Sequence, residues 1–361
     1  MGTNDTKIRE IEEELKKTQY NKATEHHIGM LKAKLSRLQM EAEASRKGGG
    51  TGFSIAKSGD ATVALVGFPN VGKSSLLNAL TDAESEVGNF AFTTLKAIPG
   101  TMEYNGAQIQ IIDLPGIIEN AAAGAGRGRE VISMARNADL VMIVTDQNAS
   151  GLEKIIGELY RAGIVLNRQK KGISIKRTVS GGIRIHRPKD VHVDQRMITS
   201  VLKEFKIVNA DVYLRENITD SDLIEHLRQN TVYLPAIVAV NKSDLPHAPD
   251  EQLNIPVGFQ YLRVSASSGI GMEELKAMIF SGLRLIKIYL REKSGEVDVE
   301  RPLIMPMGCV VRDVVRRINR AFLPTFRYAI VSGPSRRFHE IRVGLDYELN
   351  DSDTVTIISK S

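Results

Sequence analysis

Apolar residues in this chain form three patterns, and each predicts a different arrangement of elements. Short continuous apolar runs bounded by polar or glycine residues are typical of strands buried on both faces of a parallel sheet. Strand candidates occupy residues 61–66, 107–112, 138–144, 235–240 and 261–264, of which 107–112 and 261–264 are interrupted by Gln108, Gln110 and Arg263. The segments between them are long enough for helices, so the pattern predicts an α/β domain.

The first 47 residues carry a second pattern, with apolar side chains three or four positions apart. These side chains fall on one face of two successive helices, at Ile8, Ile11, Leu15, Ile28, Leu31, Leu35 and Leu38. A polar break at residues 20–24 predicts a helical hairpin, with Thr24 as a candidate N-cap. Helices apolar on one side must dock on another surface, and either the rest of the chain or a partner protein could supply it. Gly48-Gly-Gly-Thr-Gly52 then predicts a flexible joint.

Roughly ninety residues separate the third and fourth apolar runs, far more than one crossover helix needs. We expect residues 162–232 to form an inserted α+β domain, in which the alternation over residues 172–186 around Gly181-Gly182 predicts a β-hairpin. Residues 159–189 contain no Asp or Glu. Their basic residues are Arg161, Arg168, Lys170, Lys171, Lys176, Arg177, Arg184, Arg187 and Lys189. A charge run is commonly a solvated face, but one this long without an acid favours contact with nucleic-acid phosphates.

Residues 285–361 show a third pattern. Strand-like runs at 286–290, 328–331, 339–343 and 354–358 surround a basic helical segment at 311–319. This order predicts a small mixed β-grasp-like domain. Eight arginines make it the second basic region: Arg312, Arg316, Arg317, Arg320, Arg327, Arg336, Arg337 and Arg342.

A complete phosphate-loop motif, G-x-x-x-x-G-K-S, follows the first apolar run. Its residues are Gly67, Phe68, Pro69, Asn70, Val71, Gly72, Lys73 and Ser74, and Ser75 continues into the predicted helix. Strand, glycine loop and helix are the context in which this motif binds phosphate. The glycines let backbone N–H groups face a polyphosphate at a helix N-terminus. Lys73 would reach the β- and γ-phosphates, and the Ser74 hydroxyl would bind Mg²⁺.

A carboxylate ends the second apolar run, in the sequence Asp113, Leu114, Pro115, Gly116. Asp113 would hold Mg²⁺ through water, and the Gly116 N–H would sense the γ-phosphate. The small-residue run 121–128 follows closely, and the polar and aromatic segment 89–95 precedes it. We interpret both segments as nucleotide-dependent switches, although a plain surface loop is the alternative for residues 121–128.

The fourth run ends in an N-K-x-D motif formed by Asn241, Lys242, Ser243 and Asp244. The Asp244 carboxylate would pair with N1–H and N2–H₂ of guanine, which adenine cannot offer, so a buried acceptor here rejects adenine. The fifth run leads into Ser265, Ala266 and Ser267, whose backbone would meet the guanine oxygen. The ordered motifs predict a GTP-binding domain in residues 48–161 and 233–284, interrupted by the insert.

Composition indicates the class of protein and its compartment. The 361 residues are 42% hydrophobic and 25% charged, as in an ordinary globular protein, and the length predicts about two to four domains. No apolar run is long enough for a membrane span, and residues 1–17 lack the apolar core of a secretory signal. The single cysteine, Cys309, excludes an internal disulfide, fits a reducing compartment and is expected to be a buried structural thiol.

These motifs, with Phe92-Thr-Thr-Leu95 and the segment from Asp113 to Glu119, resemble the Obg-related GTPases, and among them the developmentally regulated GTP-binding proteins. The resemblance covers essentially the whole length. It implies an S5D2-like insert, a TGS domain at residues 285–361, Mg²⁺-dependent GTP hydrolysis in the cytoplasm, and association with ribosomes, ribosomal RNA or translation factors. A protein partner could bind the N-terminal helices or the TGS domain. By motif, Thr94 rather than Thr93 would join Ser74 and Asp113 at Mg²⁺.

Two positions bear on the rate of hydrolysis. Ile117 stands where Ras-like enzymes place a water-orienting glutamine, so slow intrinsic turnover is expected. Asn70 stands where K⁺-activated GTPases with a G-x-P-N-x-G-K-S loop bind K⁺, an ion that could replace an arginine finger. We take Lys73, Thr94, Gly116 and Asn70 as catalytic residues, with Mg²⁺ and K⁺ as cofactors; the alternative is that Asn70 only caps the loop. An RNA- or ribosome-binding module with a structural nucleotide and negligible turnover is the other function considered.

Overall fold

The structure is a computed structural model that describes residues 3–19, 21, 24–45, 59–81, 98–114, 127–228, 230–291, 297–333 and 340–359. The chain divides into two compact units, one formed by Met1–Gly52 and Leu159–Tyr233, the other by Phe53–Glu158 and Leu234–Ser361. Among the described residues, none of the helices combines the length and apolar character needed to cross a membrane.

The strands, in chain order, are β1 (Ala61–Val66), β2 (Ile98–Tyr104), β3 (Ala107–Asp113), β4 (Leu140–Thr145), β5 (Ile164–Leu166), β6 (Ile173–Arg177), β7 (Ile183–His186), β8 (Ala210–Leu214), β9 (Val232–Leu234), β10 (Ala236–Val240), β11 (Gln260–Arg263), β12 (Leu285–Leu290), β13 (Leu303–Pro306), β14 (Phe326–Ser332), β15 (Ile341–Val343) and β16 (Asp353–Ser359). The helices are α1 (Thr3–Lys17), α2 (Glu25–Ser45), α3 (Lys73–Leu80), α4 (Arg127–Asn137), α5 (Leu152–Arg161), α6 (Gln195–Glu204), α7 (Asp220–Leu227), α8 (Met272–Gly282), α9 (Val311–Ile318) and α10 (Phe322–Thr325).

A six-stranded sheet organises the larger unit, in the order β11-β10-β4-β1-β3-β2. All neighbouring strands are parallel except β2, which is antiparallel to β3. Strands β1 and β4 are buried along their whole length, which is why they lack alternation in the sequence. Apolar side chains of α3 and α8, including Leu76, Leu77 and Ile279, complete this core. The strand order reverses at β1, the place where open α/β sheets bind ligands at the carboxyl ends of their strands.

A second sheet in the same unit has the order β13-β12-β16-β14-β15. One of its faces packs on α9, with Val311, Val314 and Val315 in the shared core. Cys309 lies in this core as a free thiol, and burial raises its pKa to about 11. The expected buried structural cysteine is therefore confirmed.

In the smaller unit, helices α6 and α7 pack against the three-stranded sheet β6-β8-β7. The α1–α2 hairpin has its own apolar contacts at Ile11, Leu31 and Leu38, and Ala33 of α2 joins the core formed by α6, α7 and the sheet.

Ion pairs also connect helix α2 to α6 and α7. Arg37 Nε lies 3.0 Å from Glu204 Oε1, and Lys32 Nζ lies 3.3 Å from Asp220 Oδ2. The chain itself thus supplies a docking surface for the hairpin. Helix α2 begins directly after Thr24, as expected, and the Thr24 hydroxyl accepts from the Asn21 N–H in the preceding turn; its role as N-cap stays a prediction.

The predicted β-hairpin around Gly181-Gly182 is wrong. Strands β6 and β7 exist, but β8 lies between them, antiparallel to β6 and parallel to β7. Strand β8 is apolar toward the core and satisfies the backbone of both neighbours, so a distant segment takes the place of the local partner. Local alternation indicates a strand and its buried face, but it does not fix which strand becomes the neighbour.

Candidate functional site

The phosphate loop joins the end of β1 to the start of α3, and its two motif glycines lie where a side chain has no room. A Cβ on Gly67 would lie 2.3 Å from the Val144 carbonyl oxygen. Gly72 has φ of 92°, and a Cβ there would lie 2.4 Å from Asn241 Nδ2. Both contacts are far below van der Waals distance, so the close approach of neighbouring loops requires glycine at each position.

Lys73 lies across the loop. Its Nζ donates to the main-chain carbonyls of Gly67, at 3.1 Å, and Phe68, at 2.9 Å. An ammonium group held by two neutral carbonyls can exchange them for phosphate oxygens, because charge-assisted hydrogen bonds are the stronger ones. The lysine is therefore positioned next to the loop interior where a polyphosphate would lie.

Ser74 and Asp113 meet at the carboxyl ends of β1 and β3. The Ser74 hydroxyl donates to Asp113 Oδ2 at 2.6 Å. Asp113 is only 5% exposed, and its Oδ1 is buried with no hydrogen-bond partner among the described residues. A buried carboxylate oxygen without a partner is costly, and hydroxyl and carboxylate oxygens are the ligands that Mg²⁺ prefers. These two residues fit a magnesium site.

Asn241 connects the phosphate loop to the loop after β11. Its Nδ2 donates to the Val71 carbonyl at 2.9 Å, and its Oδ1 accepts from the Ala266 N–H at 3.1 Å. Asn241 is buried, so both amide ends are satisfied within the protein. It therefore holds the two loops in register beside the predicted base site.

Lys242 contacts the same loop from outside. Its Nζ donates to the Asn70 carbonyl at 2.7 Å, and Lys242 and Asn70 both have left-handed backbones, with φ of 64° and 61°. Asparagine tolerates this conformation better than most residues. No described residue hydrogen-bonds the exposed side-chain amide of Asn70.

Asp244 is exposed at the far end of the N-K-S-D segment. Its Oδ1 accepts from the Ser265 hydroxyl at 2.6 Å, and the Ser265 and Ser267 hydroxyls lie 3.0 Å apart. The hydrogen bond from Ser265 lowers the pKa of Asp244, so the carboxylate is ionised and serves as an acceptor at neutral pH. Because Ser265 orients the Asp244 carboxylate and the side chain remains exposed, the carboxylate can accept hydrogen bonds from two N–H groups of a planar base.

Arg263 connects these loops, and no sequence motif marks it. The guanidinium pairs with Asp250 and donates to the carbonyls of Gln147, at 2.9 Å, and Ala248, at 2.6 Å. It thereby joins the segments that follow β4 and β10 to the end of β11. An arginine near the end of a strand has no motif around it, and only the folded chain shows which carbonyls it meets.

The remaining predicted site residues divide into two groups. Leu114 is buried, and its N–H donates to the Leu65 carbonyl at 3.2 Å, which extends the β1–β3 pairing past Asp113. Thr93, Thr94, Pro115, Gly116 and Ile117 lie outside the described residues. The segments 89–95 and 121–126 lie outside them as well, and their interpretation as switches stays a prediction.

Comparison with known families divides the chain into three segments. Residues 62–176 match a family described as 50S ribosome-binding GTPase, and residues 180–285 match the C-terminal region of that domain. Residues 286–359 match the TGS domain.

Full-length relatives are close enough to decide the family. An uncharacterized GTP-binding protein of Methanocaldococcus jannaschii is 46% identical, over 98% of this chain and 92% of its own. Developmentally-regulated G-protein 3 of Arabidopsis thaliana is 41% identical over 100% of both chains, and developmentally-regulated GTP-binding protein 1 of Xenopus laevis is 40% identical over 98% of both. The chain belongs to the developmentally regulated GTP-binding proteins.

As a developmentally regulated GTP-binding protein, the chain is a GTPase with a phosphate-loop domain and a TGS domain, as the motifs predicted. Among solved structures, the YchF GTPase of Schizosaccharomyces pombe is 13% identical, with a TM-score of 0.47 over 84% of this chain and 98% of that one. Similarity at that level carries no information on function.

Proposed function

We propose that this GTPase hydrolyses GTP in a Mg²⁺-dependent reaction and that the bound nucleotide controls its association with the ribosome. The observation that supports the reaction best is the contact between Ser74 and Asp113, with the second Asp113 oxygen buried and unpaired. A nucleotide retained only for structure would not need this pair of oxygen ligands beside the phosphate loop. A bound Mg²⁺ would neutralise charge on the β- and γ-phosphates.

Each protein group then has a distinct role. The backbone N–H groups of residues 70–75 would face the phosphates, and Lys73 would leave its two carbonyl partners for the β- and γ-oxygens. Ser74, Asp113 and Thr94 would hold the metal, and the Gly116 N–H would follow the γ-phosphate. Asp244 would read guanine while Ser265 fixes its carboxylate and Asn241 aligns the loops.

Asn70 is the residue that we propose to bind K⁺. Its carbonyl is already taken by Lys242, but its exposed side-chain amide is left without a hydrogen bond from the described residues. An amide oxygen is a suitable ligand for a monovalent cation. A cation beside the phosphates would supply positive charge that Ile117 cannot supply.

The ribosome is the proposed partner, in the cytoplasm, and the basic insert is the proposed contact. Ion pairs within the fold reduce the number of basic side chains available to contact RNA. Arg168 pairs with Asp222 and Glu225, Lys171 with Glu216, and Arg184 with Asp211. Acids from elsewhere in the chain therefore neutralise part of the positive charge of residues 159–189, the acid-free stretch. Exposed basic residues remain at Lys170, Lys176, Arg177 and Lys189. The TGS domain and the N-terminal helices are further candidate surfaces for a protein partner.

Co-sedimentation with ribosomes tests the proposed switch. The protein is incubated with ribosomes in excess GDP or in an excess of a non-hydrolysable GTP analogue, and the pelleted fraction is compared. We expect a difference between the two nucleotide states because a switch must give them different affinities. Equal pelleting in both states, with the nucleotide shown to be bound, would leave only an RNA- or ribosome-binding module.

A further inference from the structure

The three-stranded sheet of the smaller unit has one covered and one open face. The covered face contributes apolar side chains to the core with α6 and α7, namely Ile173, Ile175, Ile183, Ile185, Ala210, Val212 and Leu214. Side chains alternate along a strand, so the intervening residues occupy the opposite face. Most of them are exposed, and no described element covers them.

Strand register arranges the open face in two rows across the sheet. Tyr213 on the central strand lies between Ser174 and His186. In the next row, Asp211 lies between Lys176 and Arg184. An aromatic residue thus lies at the centre of the sheet, and cationic side chains flank the neighbouring row.

Tyr213 is 44% exposed, an unusual setting for a large aromatic side chain in the middle of a sheet. The His186 ring stacks on it, with centroids 4.6 Å apart and planes 14° from parallel. On the other side, the cross-strand neighbour is Ser174, which is too small to cover an aromatic ring. The arrangement leaves room for another flat ring to join the stack.

The acid in the second row cancels only part of the positive charge of the face. The Asp211 side chain is 13% exposed, with Arg184 Nε 2.8 Å and His186 Nε2 3.0 Å from its Oδ1. Hydrogen bonds from His186 and Arg184 lower the pKa of Asp211, so its charge is satisfied within the sheet. Asp211 therefore orients the histidine and the arginine, and Lys176 stays exposed on the edge strand β6.

From this juxtaposition we propose that the open face of the β6-β8-β7 sheet binds single-stranded RNA by stacking an unpaired base on Tyr213, next to His186. Sheets that bind single strands combine exposed aromatic rings, on which bases stack, with cations that follow the backbone. A duplex cannot use such a ring because its bases are already stacked on each other. The inference deepens the proposed RNA contact of the insert and specifies the form of RNA.

Fluorescence anisotropy with the full chain tests the proposal. The probes are a labelled single-stranded RNA of about 12 nucleotides, the same sequence as a duplex, and an abasic strand of equal length. We expect the single strand to bind tightest and Tyr213→Ala to weaken its binding about 5- to 150-fold, the usual loss when one stacking ring is removed. Tyr213→Phe keeps the ring and should retain most of the affinity.

Two further variants separate stacking from charge and from general surface effects. Lys176→Ala should weaken all three probes similarly and reduce the salt dependence of binding by about one ion. Tyr261, 37% exposed on edge strand β11, is the matched control, and Tyr261→Ala should leave RNA affinity unchanged. The thermal midpoint of Tyr213→Ala shows whether the sheet is still folded.

Several results would overturn the inference. If a folded Tyr213→Ala protein binds the single strand within twofold of the wild type, the ring only stabilises the sheet. If the abasic strand or the duplex binds as tightly as the single strand, the surface binds the phosphate backbone without stacking a base. Either result, combined with unchanged GTP turnover and nucleotide-dependent ribosome binding, rejects the stacking site and leaves the proposed function standing.

Discussion

At the scale of single residues, the nucleotide site depends on a few side chains that each satisfy two partners. Asn241 bridges Val71 and Ala266, and Ser265 fixes Asp244 while lying close to Ser267. The sequence predicted these residues because they belong to contiguous motifs at strand ends. It could not predict Arg263, because the carbonyls that Arg263 meets come from segments distant in the chain.

Base selectivity should depend on the charge of Asp244. In Asp244→Asn, the amide offers both a donor and an acceptor, which matches xanthine better than guanine. We expect the preference to move from GTP toward xanthosine triphosphate, measured by competition against a labelled nucleotide. Glu251→Gln, an exposed acid of the same unit, is the control and should leave the preference unchanged. Undiminished GTP preference in Asp244→Asn would refute its role in base recognition.

Potassium stimulation should depend on Asn70. We expect wild-type turnover to be faster in KCl than in NaCl, and the difference to vanish in Asn70→Ala because the amide ligand is lost. Asn105 is a matched control, since it is another asparagine with a left-handed backbone, φ of 54°, in the turn between β2 and β3. Asn105→Ala should keep the difference between the salts. Equal wild-type turnover in the two salts would leave Asn70 as a loop cap only.

At the scale of elements, an ionic cluster with two buried acids joins residues near the start and the end of the insert. Arg168 lies 2.8 Å from both Asp222 Oδ1 and Glu225 Oε1, and Tyr233 donates to Glu225 Oε2 at 3.3 Å. Burial raises the pKa of Glu225, and it raises the pKa of Tyr233 to about 12, so the phenol stays a donor. The cluster fastens residue 168, near the end of β5, to helix α7.

Removing the cation of this cluster should destabilise the smaller unit. Arg168→Met leaves Asp222 and Glu225 buried without their cation, and breaking a buried pair costs about 3–5 kcal/mol. We expect the free energy of unfolding, measured in urea, to decrease by somewhat less than this amount, because Arg168 is partly exposed. Lys170→Met, an exposed neighbour, should change it by less than about 0.5 kcal/mol. A similar effect of both variants would mean that the cluster contributes little.

His226 should make the stability of the same unit depend on pH. Burial, and to a smaller extent nearby Lys170, lowers the pKa of His226, and its Nδ1 is buried without a hydrogen-bond partner among the described residues. Its folded pKa lies below the unfolded value of about 6.5, so the neutral form stabilises the fold above that pH. As pH falls below about 6.5, this contribution should be lost progressively.

Urea unfolding at pH 7 and at pH 5 measures this effect. The loss of stability on acidification should be smaller in His226→Leu than in the wild type. His192→Leu changes an exposed histidine of the same unit and should keep the wild-type difference. An identical pH dependence in wild type and His226→Leu would exclude this histidine as the source.

Sequence patterns located most elements but not their neighbours. Continuous apolar runs marked β1, β4 and β10, because these strands are buried on both faces, and the run interrupted by Gln108 and Gln110 marked β3. Strand β2 was missed, since its sequence contains Pro99 and Gly100 and lacks an apolar run. The pairing of β6 and β7 with β8 was also missed, because a strand some 25 residues further along displaced the expected hairpin partner. Pairing depends on tertiary packing, which local patterns do not contain.

At the scale of the whole molecule, the chain combines a GTPase domain with basic surfaces that we propose to bind RNA. The phosphate-loop and TGS domains follow from the family, and the motifs already indicated both. The acid-free stretch, residues 159–189, was a weaker guide to RNA binding. In the fold, part of its positive charge is neutralised by Asp211, Glu216, Asp222 and Glu225. The proposed switch requires first that GTP be hydrolysed at the Ser74–Asp113 site, because hydrolysis resets the molecule.

Steady-state GTP hydrolysis by the wild type and by Asp113→Asn, each with Mg²⁺ and with EDTA, tests that requirement most directly. The amide can still accept a hydrogen bond from Ser74 but lacks the charge. Wild-type turnover should require Mg²⁺, Asp113→Asn should lose about 10- to 100-fold, and Glu153→Gln, an exposed acid of α5, should match the wild type. Turnover that persists in EDTA, or an Asp113→Asn protein as active as the wild type, would contradict metal-dependent hydrolysis at this site.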